Sequence, residues 1–371
     1  MHSHVPGLRT SRMYVFRLAA LAAIAFFAFT AEVMAQQQLP PHWPWRGVSV
    51  NTVSASPEMV AALLDKLPIK VLRFQLHACQ EARVKRLPID VAWEHSLKKI
   101  SPMLQVAQQR GVVTVINVSK FCLGGDQRKA AFWTDEQEKK RIYAMIDRII
   151  EQTSKFDRSL IAYDFFSEPL VITPSRRRLP PPDWNDYLAG IVKHVRAKDD
   201  TSWMVVSAGP GMNPVGYADL HPVSDKRVIY NVHMYLPTQF THQGLAHIPW
   251  GVTYPGGVKG VYWDKHKLRG ALDVVRDFQI KNEALVWVGE FSAVRWAEGS
   301  ELYIKDLVDI FEGYGWGWAY FSASGFHGWN PNYSRHYASN QRMAADQFEG
   351  ERSMRWQTLR SIFKVEQGIN Q

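Results

Sequence analysis

Eight short runs of β-forming residues alternate with amphipathic stretches along most of this chain. Each run is rich in Val, Ile and aromatic residues and ends in polar residues, which is typical of a buried strand. The runs cover residues 47–51, 71–76, 112–118, 161–166, 203–207, 228–235, 285–288 and 317–321. Helical patterns follow every run except the fifth, at residues 58–66, 91–110, 135–154, 183–197, 268–280, 300–311 and 354–363.

This regular alternation predicts an α/β fold in which parallel strands are covered by helices. Eight units suit a (β/α)8 TIM barrel, which we expect to form a single domain over residues 46–371. A doubly wound open sheet is the alternative. No Gly-rich phosphate-binding loop follows the first run, which disfavours a nucleotide-binding version of that alternative.

The first 35 residues have the pattern of a secretory signal peptide. Three arginines precede an apolar run over residues 18–29, and Ala35 offers a small residue for cleavage. A membrane anchor is the alternative, but the apolar run is shorter than a bilayer requires. We therefore expect a secreted or periplasmic protein with no membrane segment after cleavage, in which residues 36–45 form a loose linker of Gln and Pro.

The charge of the chain gives little support to a nucleic-acid-binding function. The 371 residues carry a formal charge of +9, which falls to +7 when the three Arg and one Glu of the first 35 residues are removed. Export and the lack of a recognisable binding motif disfavour a nucleic-acid partner. The basic run at residues 176–178 indicates a solvated surface or, alternatively, a patch that attracts an acidic polysaccharide.

The two cysteines, Cys79 and Cys122, follow the second and third predicted strands. Two thiols are too few for a disulfide scaffold or a four-thiolate zinc site. In an oxidising compartment we expect them to form one disulfide between neighbouring loops at the rim of the barrel. Two separate buried thiols are the alternative. The sequence predicts no metal site and no cofactor.

Polar side chains gather at the ends of the predicted strands, where a (β/α)8 barrel carries its active site. The polar residues at these ends are Arg73, Asn117, Ser167, Glu168, His233, Tyr235 and Glu290. Glu168 and Glu290 follow the fourth and seventh strands, on opposite sides of the predicted barrel mouth. Two opposed carboxyl groups can hydrolyse a glycosidic bond, one as the proton donor and the other as the nucleophile. Taken singly, Arg73, His233 and Tyr235 could each have a purely structural role.

These residues lie in short motifs that resemble glycoside hydrolase family 5, the cellulase family of retaining barrel glycosidases. The matching motifs, between residues 47 and 363, are Arg73 in VLRFQL, Glu168 in YDFFSEP, His233 and Tyr235 in YNVHMYLP, and Glu290 in VWVGEFSA. The resemblance implies that Glu168 is the acid/base and Glu290 the nucleophile. It also implies that Tyr235 hydrogen-bonds Glu290 and that His233 lines the cleft. Arg73 would favour the ionised form of Glu290, since a nearby cation lowers the pKa of a carboxyl group.

Three positions depart from the pattern of the family. Ser167 stands where family members have an Asn that contacts the sugar 2-hydroxyl, and its shorter side chain reaches less far. Asn117 and Ser119 stand at the end of strand three, where a His is common. Phe321 takes the place of a stacking Trp on strand eight, with Trp318 three residues earlier as a further candidate for sugar binding. All three positions belong to the part of the site that would contact the reacting sugar. The sequence therefore defines the type of reaction more closely than the identity of the substrate.

Aromatic residues in the loops after strands six, seven and eight are candidate platforms for sugar rings. They include Phe240, Trp250, Tyr254, Tyr262, Trp263, Trp296, Phe326 and Trp329. The sequence thus predicts a monomeric, retaining, endo-acting β-glycosidase whose partner is a polysaccharide, such as a β-glucan, a mannan or a related exopolysaccharide. Two alternatives stay open: a non-catalytic carbohydrate-binding protein on a degenerate barrel, and an exo-glycosidase or transglycosylase.

Overall fold

The computed structural model describes residues 38–335 and 348–364. The predicted signal peptide, residues 1–35, lies outside these ranges. In the described part of the chain, eight parallel strands close into a barrel in the order of the chain. The strands are β1 (Arg46–Asn51), β2 (Val71–Leu76), β3 (Val113–Val118), β4 (Ile161–Asp164), β5 (Trp203–Ser207), β6 (Val228–Met234), β7 (Leu285–Phe291) and β8 (Gly317–Tyr320). Because β8 pairs with β1, the predicted TIM barrel is confirmed and an open sheet is excluded.

Helices cover the outside of the barrel, as the amphipathic stretches predict. Their bounds are Pro57–Lys66, Ala78–Lys85, Ile89–Gln109, Ala130–Thr134, Glu136–Thr153, Trp184–Arg196, Thr238–Thr241, Lys265–Gly270, Asp273–Asn282, Ser300–Gly313 and Met354–Lys364. Two small antiparallel ribbons lie in the loops after β4 and β6: Val171–Ile172 with Arg178–Leu179, and Gly256–Val258 with Val261–Trp263. Among the described helices, none combines the length and the apolar character needed to cross a bilayer.

Side chains along each barrel strand point alternately into the barrel and outward beneath the helices, since a strand repeats every two residues. On β2, for example, Val71 joins the inner apolar cluster, whereas Leu72 joins the outer one. The inner cluster fills the end of the barrel where the strands begin, with Trp45, Val71, Val113, Val115, Ala162, Trp203, Val205, Ile229, Leu285, Trp287 and Ala319. This end of the barrel is therefore a packed core and not a pore.

The predicted linker over residues 36–45 needs correction at residues 40–45, whereas residues 36 and 37 lie outside the described ranges. The compact unit that contains the barrel begins at Pro40. Trp45 is fully buried, and its ring packs edge-on against Trp287 with the centroids 6.0 Å apart. The indole nitrogen of Trp45 donates a hydrogen bond to the carbonyl oxygen of Pro41 at 2.8 Å. Burial of the large Trp45 indole holds this segment in place, so the residues just before β1 close the base of the barrel.

Cys79 and Cys122 are joined by a disulfide, with their Cα atoms 6.0 Å apart. Cys79 lies in the first turn of the helix after β2, and Cys122 lies in the loop after β3. The bridge closes a loop with a sequence separation of 43 residues. A crosslink of that length restricts the unfolded chain enough to contribute about 4 kcal/mol to the free energy of unfolding in the chain-entropy treatment.

Candidate active site

Towards the carboxyl ends of the strands, the inward side chains change from apolar to polar. This upper layer continues the same alternating positions that form the apolar core below it. Its buried members include Ser49, Arg73, Gln75, Asn117, Asp164, Ser207, Asn231, His233 and Glu290. Buried polar groups need partners, and the contacts among these residues define the site.

Arg73 lies at the centre of a buried ion cluster. Its Nη1 donates to Oε1 of Glu290 at 2.5 Å, and its Nε and Nη2 donate to Oδ2 of Asp164 at 3.2 and 3.1 Å. Burial would lower the pKa of Arg73, but the two carboxylates raise it above its ordinary value, so the guanidinium stays charged. Burial raises the pKa of Asp164 despite the opposing charge of Arg73. One cation therefore orients two carboxyl groups from opposite sides of the barrel.

Asp164 is a site residue that sequence reasoning missed. It lies on β4 at an inward position, four residues before Glu168. The available signal was a charged residue inside the otherwise apolar run YDFF, because a buried charge is rare unless it is paired. Its partner, Arg73, stands on another strand 91 positions away, so the pairing itself leaves no local trace in the sequence.

A bulge at Gly289 turns Glu290 into the barrel. Leu285 and Trp287 face inward, so strict alternation would point residue 290 outward. The pairing of β7 with β6 shifts between Val288 and Glu290, which restores the inward direction. The Gly289 N–H donates to Oδ1 of Asn231 at 2.8 Å. A side chain at position 289 would collide with Asn231, since a Cβ there would lie 2.5 Å from that oxygen.

Glu168 stands at the mouth of the barrel, opposite Glu290. Its side chain is 49% exposed, whereas that of Glu290 is 8% exposed. The Nδ1 of His233 lies 3.2 Å from Oε1 of Glu168 and 3.6 Å from Oε2 of Glu290. Carboxylate oxygens of the two glutamates lie within 4.8 Å of one another. The backbone of Glu168 has a φ of 53°, a left-handed conformation that is uncommon for a residue with a side chain and typical of functional positions.

The surroundings of Glu290 favour its ionised form. Burial alone would raise the pKa of its carboxyl group, but His233 and Arg73 reverse this effect and lower the pKa below its ordinary value. The hydroxyl of Tyr235 donates to Oε2 of Glu290 at 3.1 Å and acts in the same direction. Burial and the nearby carboxylates raise the pKa of Tyr235 well above its ordinary value, so the phenol remains a neutral donor. Gln75 adds a hydrogen bond to Oε1 of Glu290 at 3.3 Å.

Two histidines that sequence reasoning missed lie beside this cluster. Burial, together with the charges of Arg73 and Lys120, lowers the pKa of His77 to about 4, although Glu290 acts in the opposite direction. Burial also lowers the pKa of His242, whose ring packs edge-on against Tyr235. Both rings are therefore neutral at pH 7 and add no positive charge to the site.

The positions that depart from the family pattern have distinct surroundings. The Oγ of Ser167 accepts a hydrogen bond from Nη2 of Arg73 at 3.3 Å, so this side chain belongs to the ion cluster. Asn117 is fully buried, and its Nδ2 donates to the backbone oxygen of Asp164 at 3.1 Å. Asn117 therefore holds the end of β4, which is a supporting role.

A chain of aromatic rings leads away from Tyr235 along one side of the mouth. The ring of Trp329 lies 6.2 Å from Tyr235 and 5.4 Å from Phe321, between centroids. Phe326 lies 5.2 Å from Trp329, and Trp296 lies 6.5 Å from Phe326. We call these five residues the aromatic wall. Trp329 is its central member and contacts the ring beside Glu290.

Two predicted tryptophans lie elsewhere. The prediction that Trp318 binds sugar is wrong, because this residue is fully buried and packs against Phe291 and Phe363 beneath the helices. It precedes the inward Ala319 by one residue, so alternation directs it outward. Trp263 lies on the ribbon after β6, where Nζ of Lys267 sits 5.9 Å from the centroid of its ring. Among the described residues, no ring contact joins Trp263 to the aromatic wall.

Glu168, His233 and Glu290 are also the residues of the described chain that could together hold a metal ion. One ligand atom from each lies within 4.8 Å of the other two. A divalent cation at this point would occupy both carboxylates and prevent either from acting on a substrate.

A closed (β/α)8 barrel with two carboxyl groups facing each other across its mouth defines the general class of barrel glycosidases. The sequence profile of Cellulase (glycosyl hydrolase family 5) matches residues 35–327. This match spans well over half of the chain, so the chain belongs to glycosyl hydrolase family 5, and the resemblance stated from its motifs is confirmed.

Individual relatives are distant. Endoglucanase C of Acetivibrio thermocellus is 25% identical over 219 residues, which cover 51% of this chain and 61% of the relative. The chain thus matches about three fifths of the length of that relative. The structure of Thermotoga maritima Cel5A in complex with mannotriose superposes with a TM-score of 0.60 at 19% identity, covering 77% of this chain and 92% of that one. Clostridial cellulose synthase subunit Z from Clostridioides difficile gives a TM-score of 0.63 at 16% identity, covering 88% and 96%. Both structures share the fold.

The bulge at Gly289 leads to a stability prediction. Replacing Gly289 with Ala should lower the free energy of unfolding by about 1 to 3 kcal/mol, because the new Cβ overlaps Asn231. Chemical denaturation followed by tryptophan fluorescence would measure the change. Gly257→Ala is the matched control, since a Cβ at that position has no neighbour within 4 Å. Equal stability of the two variants would contradict the proposed role of Gly289.

Proposed function

We propose that this chain hydrolyses β-linked glycosidic bonds in a polysaccharide with retention of configuration. Glu168 is the acid/base and Glu290 the nucleophile. The observation that carries this proposal is that a carboxylate oxygen of Glu168 and one of Glu290 lie within 4.8 Å of each other. Of the two residues, Glu290 is the buried one, and its surroundings favour the ionised form. In retaining glycosidases the carboxyl groups lie about 5 to 5.5 Å apart, whereas inverting enzymes need a wider gap for a water molecule.

In the first step, the carboxylate of Glu290 attacks the anomeric carbon and displaces the leaving sugar. Glu168 donates its proton to the glycosidic oxygen as the bond to that oxygen breaks. A glycosyl ester on Glu290 results. In the second step, Glu168 removes a proton from water, and the water oxygen attacks the anomeric carbon and releases Glu290. Two inversions at the same carbon give overall retention.

The neighbouring side chains support these roles. Arg73 and Tyr235 donate hydrogen bonds to different oxygens of Glu290, which fixes the plane of its carboxylate. His233 lies between the two glutamates and orients Glu168. Such fixed donors stabilise the charge that returns to Glu290 when the ester is cleaved, without needing to reorganise.

The relatives and the aromatic wall support the proposed substrate class. The curated relative is an endoglucanase, and the T. maritima structure is described as a complex with mannotriose. Flat aromatic faces next to the carboxylates suit the apolar faces of β-linked pyranose rings. These observations support endo action on a β-glucan, a mannan or a related exopolysaccharide.

We also propose that the protein is exported. The signal-peptide pattern of the first 35 residues supports this location. The disulfide between Cys79 and Cys122 supports it independently, because disulfides persist in oxidising compartments.

Removing each carboxylate in turn tests the assignment of roles. With aryl β-glycosides, Glu290→Ala should lose roughly 10³-fold or more of kcat, and Glu168→Ala should slow turnover about 10²- to 10⁴-fold. Added azide should rescue both variants. The Glu168→Ala product should be a β-glycosyl azide, because azide attacks the glycosyl-enzyme, and the Glu290→Ala product should be the α-azide, because azide replaces the nucleophile. NMR spectroscopy of the products distinguishes the two anomers.

The matched control is Glu151→Ala, which removes an exposed carboxylate on the helix Glu136–Thr153 and should keep wild-type activity. If the wild-type protein binds glycans on a panel of polysaccharides and aryl glycosides but cleaves none, it is a carbohydrate-binding protein and the proposal is wrong. Short products released from chain ends only would indicate exo action.

The hydrogen bond from Tyr235 generates a pH prediction. Glu290 must be ionised to attack, so kcat/KM falls as the pH drops through its pKa. The phenol helps to lower that pKa. Tyr235→Phe should therefore move the acidic limb of the kcat/KM profile to higher pH, in addition to reducing the maximum.

Tyr254→Phe is the control for this experiment, because the hydroxyl of Tyr254 donates to Asp306 at 2.8 Å, away from the two glutamates. Its acidic limb should coincide with that of the wild type. A Tyr235→Phe variant with an unmoved acidic limb would show that the phenol has no part in the ionisation of Glu290.

A further inference from the structure

A cavity of about 240 Å³ opens beside Glu168, between the loops that follow β3 and β4. Its floor is apolar and includes Trp133 and Phe166, whose ring centroids lie 5.5 Å apart. Its rim is basic. Among the described residues that line it, the charged ones are Lys120, Arg128, Arg178 and Glu168. An apolar floor beneath a basic rim suits a sugar ring that carries an anionic substituent.

Two of the three cations are available to a ligand. The guanidinium of Arg128 is held by Asp126 through two N–O contacts of 3.0 Å, and this pairing lowers the pKa of Asp126 to about 2. By contrast, no carboxylate of the described chain forms an ion pair with Lys120 or Arg178. With Arg128 paired to Asp126, the two remaining cations of the lining outnumber its single carboxylate, Glu168, by one positive charge.

The backbones that carry these cations are tied to one another. Arg178 pairs with Ile172 across the ribbon after β4. The N–H of Ile172 in turn donates to the carbonyl oxygen of Arg128 at 2.8 Å. Lys120 lies two residues before Cys122, which the disulfide anchors to the helix after β2. The backbone positions of the basic rim are thus fixed in advance, which lowers the ordering cost of binding.

The cavity lies on one side of the two glutamates, which indicates the side of the scissile bond that it would hold. Glu168 lines the cavity, whereas Glu290 and Tyr235 are not among its described lining residues. The acid/base donates its proton to the oxygen of the leaving sugar. A sugar next to Glu168 and away from Glu290 is therefore on the leaving-group side.

We propose that this cavity binds a leaving-group sugar that carries an anionic substituent, a carboxylate or a phosphate ester, through Lys120 and Arg178. The inference rests on the proposed function and adds a substrate class to it: an acidic polysaccharide. A planar guanidinium and an ammonium group together match the oxygens of either anion. The other two arginines of the basic run at residues 176–178, Arg176 and Arg177, are not among the described lining residues.

The test compares three cellulose derivatives: carboxymethyl cellulose, phosphorylated cellulose and neutral hydroxyethyl cellulose. Lys120→Ala and Arg178→Ala should each lower the ratio of kcat/KM on an anionic polymer to kcat/KM on the neutral one by about three- to tenfold, as expected for a partly exposed charge-assisted contact. The control Arg177→Ala removes the same charge from the position immediately before Arg178 and should leave the ratio unchanged. The anionic polymer with the larger effect identifies the substituent.

Binding measured separately keeps this inference distinct from the proposed function. In affinity electrophoresis, the Glu290→Gln protein should be retarded more by an anionic polymer than by the neutral one, and Arg178→Ala in that background should reduce the difference. If every variant hydrolyses all three polymers with the same ratio of kcat/KM on an anionic polymer to kcat/KM on the neutral one, the inference is overturned and the proposed function stands. Selective binding without hydrolysis by the wild type would overturn the proposed function instead. If Arg177→Ala lowers the ratio of kcat/KM values as much as Arg178→Ala does, the effect depends on net charge alone, and the proposal of a specific site is overturned.

Discussion

The site depends on the buried guanidinium of Arg73. It is the cation that contacts both Glu290 and Asp164, and the lowered pKa of Glu290 follows in part from its charge. A buried ion cluster of this kind adds little net stability compared with an apolar core, but losing one member leaves an unpaired buried charge. The apolar layer below, closed by Trp45 and Trp287, holds the strands so that these three side chains meet. The packing of the barrel thus fixes the electrostatics of its mouth.

Much of the fold could be predicted from the sequence because hydrophobic periodicity is local. The second and fifth strands have the predicted bounds, Val71–Leu76 and Trp203–Ser207. The same periodicity also indicates that Trp318 does not face the barrel interior, which the prediction of a sugar-binding role did not take into account. Trp318 and Phe321 are three positions apart, so in an extended strand they cannot both face the barrel interior. Phe321 belongs to the aromatic wall, whereas Trp318 lies beneath the helices.

Other features could not be read from the sequence because they depend on contacts between distant residues. The strand predicted to end at Val288 continues to Phe291 through the bulge at Gly289, which Asn231 holds from a neighbouring strand. The pairing of Asp164 with Arg73 and the gap between the two glutamates likewise arise only when the barrel closes. The basic run after β4 showed a charge excess, but only the folded ribbon shows that Arg178 faces the cavity beside Glu168. Local patterns therefore identified the candidate carboxylates, and closure of the barrel defined their chemistry.

The proposed mechanism requires Glu290 to form a covalent bond to the substrate. Incubation with a 2-deoxy-2-fluoro-β-glycosyl fluoride tests it most directly, because the fluorine slows hydrolysis of the glycosyl ester more than a good leaving group slows its formation. We expect the mass of the intact protein to rise by one fluoroglycosyl residue and peptide mapping to place this residue on Glu290. A label on another carboxylate, or steady turnover of the parent glycoside with no label, would contradict it.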